Sequence, residues 1–382
     1  MYFMDCVNMK IPLLDLKTQY ATVRAETEKS IRDILESQYF IGGHYVSDFE
    51  NAVAAYSGVK HAIGVSSGTD ALLASLMVLG VYRSPLDEGA ADEVVVPAYT
   101  FFATAGSVWR AGAKPVFADI NPDTYNVDPN SVRSKITSKT KAIIPVHLYG
   151  QCAEMEEIRK IADENSLFVV EDGAQAIGAS REGVKVGNFG NCACLSFFPS
   201  KNLGGLGDGG MVLTNDDALA ERLRETRNHG MAPKYFHKHV GGNFRLDAIQ
   251  AAGLLAKLPH LDAWGEMRRA NAAFYNKAFA GNSAIKVPHI DPKNRSIYNQ
   301  YIISVENRDE VLAHLREKEI GCEIYYPLSL HMQECFKALG YKEGDFPNSE
   351  YAAKHTIALP IYPELEEPQL AYVAEAVLES VK

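Results

Sequence analysis

Cys192-Ala-Cys-Leu-Ser-Phe-Phe-Pro-Ser-Lys201-Asn-Leu-Gly-Gly-Leu-Gly-Asp-Gly-Gly-Met-Val-Leu-Thr214 is the stretch whose reading decides the fold. An apolar run of strand length ends at Ser196, a proline-containing turn presents Lys201, and glycines lead into a second apolar run from Met211 to Thr214. A lysine held between two buried elements loses hydration, which disfavours its ammonium form. The neutral amine that results can condense with an aldehyde. Alone, Lys201 would be an ordinary loop lysine; its neighbours upstream change that.

Working back from Lys201, the chain alternates. Strands are expected at His61–Ser66, Glu93–Val96, Pro115–Ala118, Ala142–Val146 and Leu167–Glu171, with helices at Leu16–Gln38, Val46–Tyr56, about Phe101–Ala111 and about Glu154–Glu164. Strands alternating with helices predict an α/β fold with a largely parallel sheet flanked by helices. Ligands of such sheets sit at the carboxyl ends of the strands. Ser67 and Thr69, Thr100 and Phe101, His147 and Tyr149, Asp172 and Gln175, and Ser196 and Lys201 all fall there.

Two of these ends carry specific chemistry. Ser67-Gly68-Thr69-Asp70 turns a strand into a helix, where free N–H groups, the helix dipole and hydroxyls converge on an anion; the same residues also serve as a plain N-cap. Asp172 closes an apolar strand with a carboxylate, which can hold a proton on a pyridine nitrogen or merely cap the next turn.

Downstream, a helix at 215–228 and a long helical stretch from Asp247 to about Asn276 precede a change of character after Gly281. Ile285–Val287, Tyr301–Val305 and Cys322–Tyr326 read as strands, with a helix at about Asp309–Lys318. The expected organisation is a large domain over residues 1–258 and a small C-terminal α+β domain over 259–382.

Composition removes other classes. Thirty-eight basic against 48 acidic residues give a net charge of −10, without long runs of one sign, so nucleic acid and anionic membranes are poor partners. No apolar run reaches membrane-spanning length, and the start lacks the basic and apolar regions of a signal peptide, although Met9 would serve equally well as a start. Six cysteines without a CxxC pair suit reduced thiols, and a cytoplasmic location is expected. His237 and His239 have no carboxylate or cysteine beside them, so no metal is expected. Gly205-Leu-Gly207-Asp-Gly-Gly210 has the GxGxxG spacing of nicotinamide enzymes, but it precedes a strand instead of joining a strand to a helix.

Asp172, followed after 29 positions by Lys201 in Ser-Phe-Phe-Pro-Ser-Lys-Asn-Leu-Gly, resembles the pyridoxal-phosphate-dependent nucleotide-sugar aminotransferases of the DegT/DnrJ/EryC1/StrS family. Ser66-Ser-Gly-Thr-Asp-Ala-Leu, Pro97-Ala-Tyr-Thr-Phe, Gly242-Asn-Phe-Arg-Leu-Asp and Ile324-Tyr-Tyr-Pro extend the likeness over nearly the whole chain from Leu13. The resemblance implies fold type I, a cytoplasmic enzyme of polysaccharide biosynthesis, and a homodimer with shared active sites. Lys201 would bind pyridoxal 5'-phosphate covalently and then shuttle the proton. Asp172 would face the pyridine nitrogen, Gln175 the phenolic oxygen, and Phe101 the ring. Gly68, Thr69 and Ser196 would hold the phosphate, with Asn243 reaching the partner's. L-glutamate would give the amine, leave as 2-oxoglutarate, and a keto-sugar of a nucleoside-diphosphate sugar would receive it.

Gln175 favours a 3-keto sugar, since relatives acting at C4 often carry His there. A 4-keto substrate, a sugar dehydratase and a non-catalytic sugar-nucleotide sensor are the alternatives. Dehydratases of the family carry His where Lys201 stands, and a sensor has no need for the amine. Gly173 stands where Ala or Cys is commoner, which suggests room beside the ring, and the Tyr82–Ala91 loop is longer than usual. Tyr325, Tyr326 and His331 lie where the small domain could close over the sugar nucleotide.

Overall fold

The computed structural model describes residues 9–82 and 91–381; all but the ends of the Tyr82–Ala91 loop lie outside them. In chain order the helices are α1 (Leu16–Ser37), α2 (His44–Ser57), α3 (Gly68–Val78), α4 (Ala103–Arg110), α5 (Pro129–Ser134), α6 (Met155–Asn165), α7 (Asp217–Thr226), α8 (Ala248–Lys257), α9 (Leu261–Ala278), α10 (Arg308–Glu317), α11 (Pro347–His355) and α12 (Glu367–Ser380). The strands are β1 (His61–Val65), β2 (Glu93–Pro97), β3 (Lys114–Ala118), β4 (Thr140–Ile143), β5 (Phe168–Asp172), the short β6 (Ser180–Arg181) and β7 (Val184–Lys185), β8 (Cys192–Ser196), β9 (Gly210–Thr214), the short β10 (Asn294–Arg295), β11 (Tyr301–Ser304) and β12 (Thr356–Leu359).

Seven strands form the central sheet in the order β1-β9-β8-β5-β4-β2-β3. The strand pairs from β8 through β5, β4 and β2 to β3 are parallel, whereas β9 runs antiparallel to both β1 and β8. The connection between Ser196 and Gly210 contains no helix to carry the chain across the sheet as a parallel return usually requires, and β9 comes back antiparallel beside β8. One face of the sheet packs Val65, Val96, Ile144, Val170 and Val212 against α3, α4 and α7. The other packs Ala193, Leu195 and Leu213 against α1, α2 and α8. Strands buried on both faces are continuously apolar, which is why these runs were legible.

The sequence expectation of one long helix from Asp247 is corrected by a break. The 3₁₀ turn Leu258–His260 separates α8 from α9, because Pro259 has no N–H for the helical ladder. Ile285–Val287 and Cys322–Tyr326 are not ladder strands either. Each makes one isolated bridge, Lys286 to Ser304 and Glu323 to Ala358. Pro288 cannot extend the first, and tyrosine hydroxyls occupy the backbone of the second, as described below.

The C-terminal elements build their own core around Tyr275, Tyr301, Leu315, Ile357 and Val373, and Ile11 from the start of the described chain is buried in it. Buried Arg181 ties β6 to the remainder, donating to both oxygens of Glu156 (2.6 and 2.7 Å) and to Asp291 (2.9 Å).

Candidate active site

Strand register brings the site together. On the central sheet Asp172 lies opposite Cys194, and Ser196, two residues further along β8, lies opposite Gly210 on β9. A Cβ built on Gly210 would lie 2.3 Å from the backbone of Ser67, so only glycine lets β9 come so close to the start of α3. A Cβ on Gly68 would lie 2.8 Å from the Cβ of Ser196. The helix start and Ser196 are therefore in contact across the carboxyl edge of the sheet.

Ser67 caps α3 by accepting from Asp70 N–H (3.0 Å), while Ser66 and Ser67 hydroxyls donate to the Asp70 carboxylate (2.7 and 3.0 Å). Among the described residues this leaves the N–H groups of Gly68 and Thr69 for an oxyanion beside Ser196. Gly68→Ala is expected to fold and to lose about tenfold or more in phosphate-anchored cofactor affinity, measured by equilibrium dialysis of the apoprotein. Wild-type affinity in that variant would remove this cradle from the site.

Asp172 is buried. Its Oδ2 accepts from the Thr104 hydroxyl (2.8 Å) and its Oδ1 from Ala174 N–H (3.2 Å). Burial pushes the carboxyl up from its ordinary value, while those two bonds and the charges of Lys201 and His147 pull the other way. Lys201 shows the reverse balance: burial pulls its amine down to about 8, against the field of Asp172. A cation and an anion that feel one another, each pushed toward its neutral form by burial, mark a site built for proton movement.

Gln175 is buried and its amide is oriented. Tyr149 N–H donates to Oε1 (2.7 Å), so the amino end points to the Tyr326 hydroxyl (3.1 Å). The Phe101 ring is more than half exposed, 6.0 Å from the Tyr326 ring. Asn243 is exposed and pairs through its backbone with Asn228.

Other residues singled out in the sequence are engaged elsewhere. His147 is fully buried against Glu171 (3.0 Å), and its Nδ1 accepts from Ala153 N–H (3.1 Å). Glu171 also accepts from the N–H groups of Gly187, Phe189 and Gly190; side chains alternate along a strand, so Glu171 and Asp172 face opposite ways. His331 is buried too, bonded to Glu350 (3.1 Å) and packed on Phe346. Gly173 opens no space beside the site, since its Cβ would lie 2.8 Å from Val186 and 3.2 Å from Leu195. Among the described residues no cluster of three or more His, Cys, Asp or Glu could hold a metal.

Sequence reasoning missed Thr104 and the bracing of Tyr325 and Tyr326. Thr104 is the second residue of α4 and Thr100 precedes that helix, so no local spacing signalled the pair. Hydroxyls of Tyr99 (2.5 Å) and Tyr149 donate to Tyr325 carbonyl, and Tyr326 N–H donates to Tyr99 (3.0 Å).

The arrangement fits a phosphorylated aromatic aldehyde. The anion cradle, a buried carboxylate, a desolvated amine and an exposed aromatic face match pyridoxal phosphate's phosphate, ring nitrogen, aldehyde and ring in kind and number.

Comparison with known proteins agrees. Residues 21–378 match the family model described as the DegT/DnrJ/EryC1/StrS aminotransferase family. The chain is 49% identical over 374 residues to a Geobacillus stearothermophilus protein named as a pleiotropic regulatory protein, covering 97% of this chain and 98% of that one. It is 41% identical to the dTDP-3-amino-3,4,6-trideoxy-alpha-D-glucose transaminase of Streptomyces venezuelae, covering 97% and 96%. The crystal structure of S. venezuelae DesV superposes with a TM-score of 0.93 at 41% identity, covering 98% and 99%.

Proposed function

The chain belongs to the DegT/DnrJ/EryC1/StrS aminotransferase family, whose members depend on pyridoxal phosphate, and from that premise we propose that it transfers the amino group of L-glutamate to the 3-keto group of a nucleoside-diphosphate sugar. The observation that carries the proposal is the desolvated amine of Lys201 set in the field of buried Asp172. The transaminase name of the S. venezuelae relative, with its 3-amino sugar, supports C3, as does Gln175.

Bound pyridoxal phosphate supplies an electron sink that stabilises negative charge on the carbon losing its proton. Asp172 keeps the proton on the ring nitrogen, which deepens the sink. Lys201 is the base that moves the proton at the amino-bearing carbon, and its amine is held in the site before reaction begins. Gly68, Thr69 and Ser196 anchor the phosphate, Phe101 covers the ring, and Gln175 offers its amino end to the phenolic oxygen.

The protein acts as a cytoplasmic homodimer in this reading, with Asn243 completing the partner's phosphate site. Exposed Tyr235, Phe236 and Val240 on the preceding loop support a covered surface there. In the same reading the large domain runs to residue 258 and the small one starts at 259, a division supported by the Leu258–His260 turn between α8 and α9. Among the described residues no helix is long and apolar enough to cross a membrane.

The test offers L-glutamate with 3-keto and 4-keto sugars linked to dTDP, UDP or GDP and follows 2-oxoglutarate. One 2-oxoglutarate per 3-amino sugar is expected. Turnover confined to 4-keto sugars would move the reaction to C4. The name of the Geobacillus relative favours a second reading, a sugar-nucleotide sensor; tight binding without turnover on any sugar would select it.

The amine also predicts a pH dependence. Neutral Lys201 increases as pH rises through about 8, so the rate at which the apoprotein captures pyridoxal phosphate should climb to that point and level off above it. An ordinary lysine would keep gaining rate to about 10.4. Stopped-flow absorbance from pH 6.5 to 10 distinguishes the two, and a rise continuing to the upper limit would contradict the desolvated amine.

A further inference from the structure

The geometry points to Thr104 as a positioning residue that acts through Asp172, its hydroxyl holding the carboxylate in the orientation and charge state that keep a proton on the cofactor's ring nitrogen. This rests on Asp172 being the partner of that nitrogen, as proposed above.

Thr104 is completely buried, one residue into α4. Its Oγ1 donates to Asp172 Oδ2 at 2.8 Å and lies 3.2 Å from Thr100 Oγ1, which is also buried. A hydroxyl has a single proton. Since Thr104 spends its proton on the carboxylate, Thr100 must be the donor between the two threonines. The result is a directed chain, Thr100 to Thr104 to Asp172, in which each bond polarises the next in a low-dielectric surrounding. Ala174 N–H holds the other oxygen at 3.2 Å. Two donors on opposite oxygens fix the carboxylate plane, and of the two Thr104 is the shorter and the only side chain among the described residues.

A donor to a carboxylate stabilises its charged form. In a buried pair that shares one proton, a carboxylate stabilised as the anion competes less well for that proton, which stays on nitrogen. Remove the donor and the proton shifts toward oxygen. The other titratable groups around Asp172 are Lys201 in the β8–β9 turn, His147 after β4, Tyr326 from the C-terminal part and Cys194 on β8. None of them has a hydrogen bond to the carboxylate among those described, so Thr104 is the side chain through which the sequence can adjust it.

The experiment compares Thr104→Val, Thr104→Ser and Asp172→Asn holoenzymes with the wild type, using pyridoxal phosphate labelled with ¹⁵N in the ring. In T104V the ring-nitrogen signal should move toward the unprotonated position. Its kcat should fall about ten- to a hundredfold, with KM for the nucleotide sugar within about threefold, the size expected for one lost bond to a charged group. T104S keeps the hydroxyl and should return both readouts to within about threefold of wild type. T104V with a wild-type nitrogen signal, or T104S as impaired as T104V, overturns the proposal. Should T104V not fold, Thr100→Val weakens the chain with Thr104 in place; a smaller shift in the same direction is expected, and an unmoved signal overturns the relay. A wild-type protein that binds no pyridoxal phosphate would instead bring down the function proposed above, whereas an impaired D172N beside an unchanged T104V removes the role of Thr104 alone.

Discussion

Lys201→Ala is expected to abolish amino transfer, with a loss of about a thousandfold or more in single-turnover amination, while circular dichroism and thermal unfolding stay close to wild type. Two effects combine. In the proposed reaction the variant would lack the amine that captures the aldehyde and the base that moves the proton, a contribution worth about 10²–10⁴ by itself. Little stability should be lost, because burial opposes the charge on Lys201, and an alanine removes a group that costs energy to desolvate. Lys201→Arg separates the roles further, since a guanidinium keeps the positive charge but stays protonated at any workable pH; it should be as inactive as the alanine variant. Unchanged turnover in either would remove the central assignment.

Asp172→Asn should retain the cofactor yet lose about a hundredfold or more in kcat, comparable with removing one preorganised electrostatic partner from an active site. The amide has nearly the shape of the carboxylate, and it can still accept from Thr104 or Ala174. It cannot hold a neighbouring nitrogen in the protonated state, because an amide carries no charge to balance the pyridinium. The phosphate cradle proposed for Gly68, Thr69 and Ser196 does not involve Asp172, so cofactor affinity should fall far less than rate. Normal activity in this variant would remove the electron-sink role, and with it the reason for burying a carboxylate at the end of β5. A D172N protein devoid of cofactor would show instead that the ring nitrogen contributes mainly to binding.

What the sequence determined by itself was the set of local signals. Continuous apolar runs at β1, β2, β5, β8 and β9 follow from burial on both sheet faces, and they placed Ser67, Asp172, Ser196 and Lys201 at the ends of strands before any partner was known. The amine and carboxylate, 29 positions apart, were readable because each closes or follows an element with its own local pattern. Tertiary structure decided which of the strand-end groups share the site. His147 stood at an equally good position in the sequence, yet it is consumed by Glu171 on the opposite side of β5; His331 is consumed by Glu350. Thr104 enters through a bond to a residue 68 positions away, and Tyr99 supports Tyr325 across 226. Cys322–Tyr326 has the composition of a strand but takes tyrosine hydroxyls in place of a neighbouring ladder at its far end. The physical reason is common to all of these. Periodicity and turn chemistry are properties of adjacent residues, whereas the choice of hydrogen-bond partner depends on strand register and on which long-range groups arrive to satisfy a buried donor or acceptor.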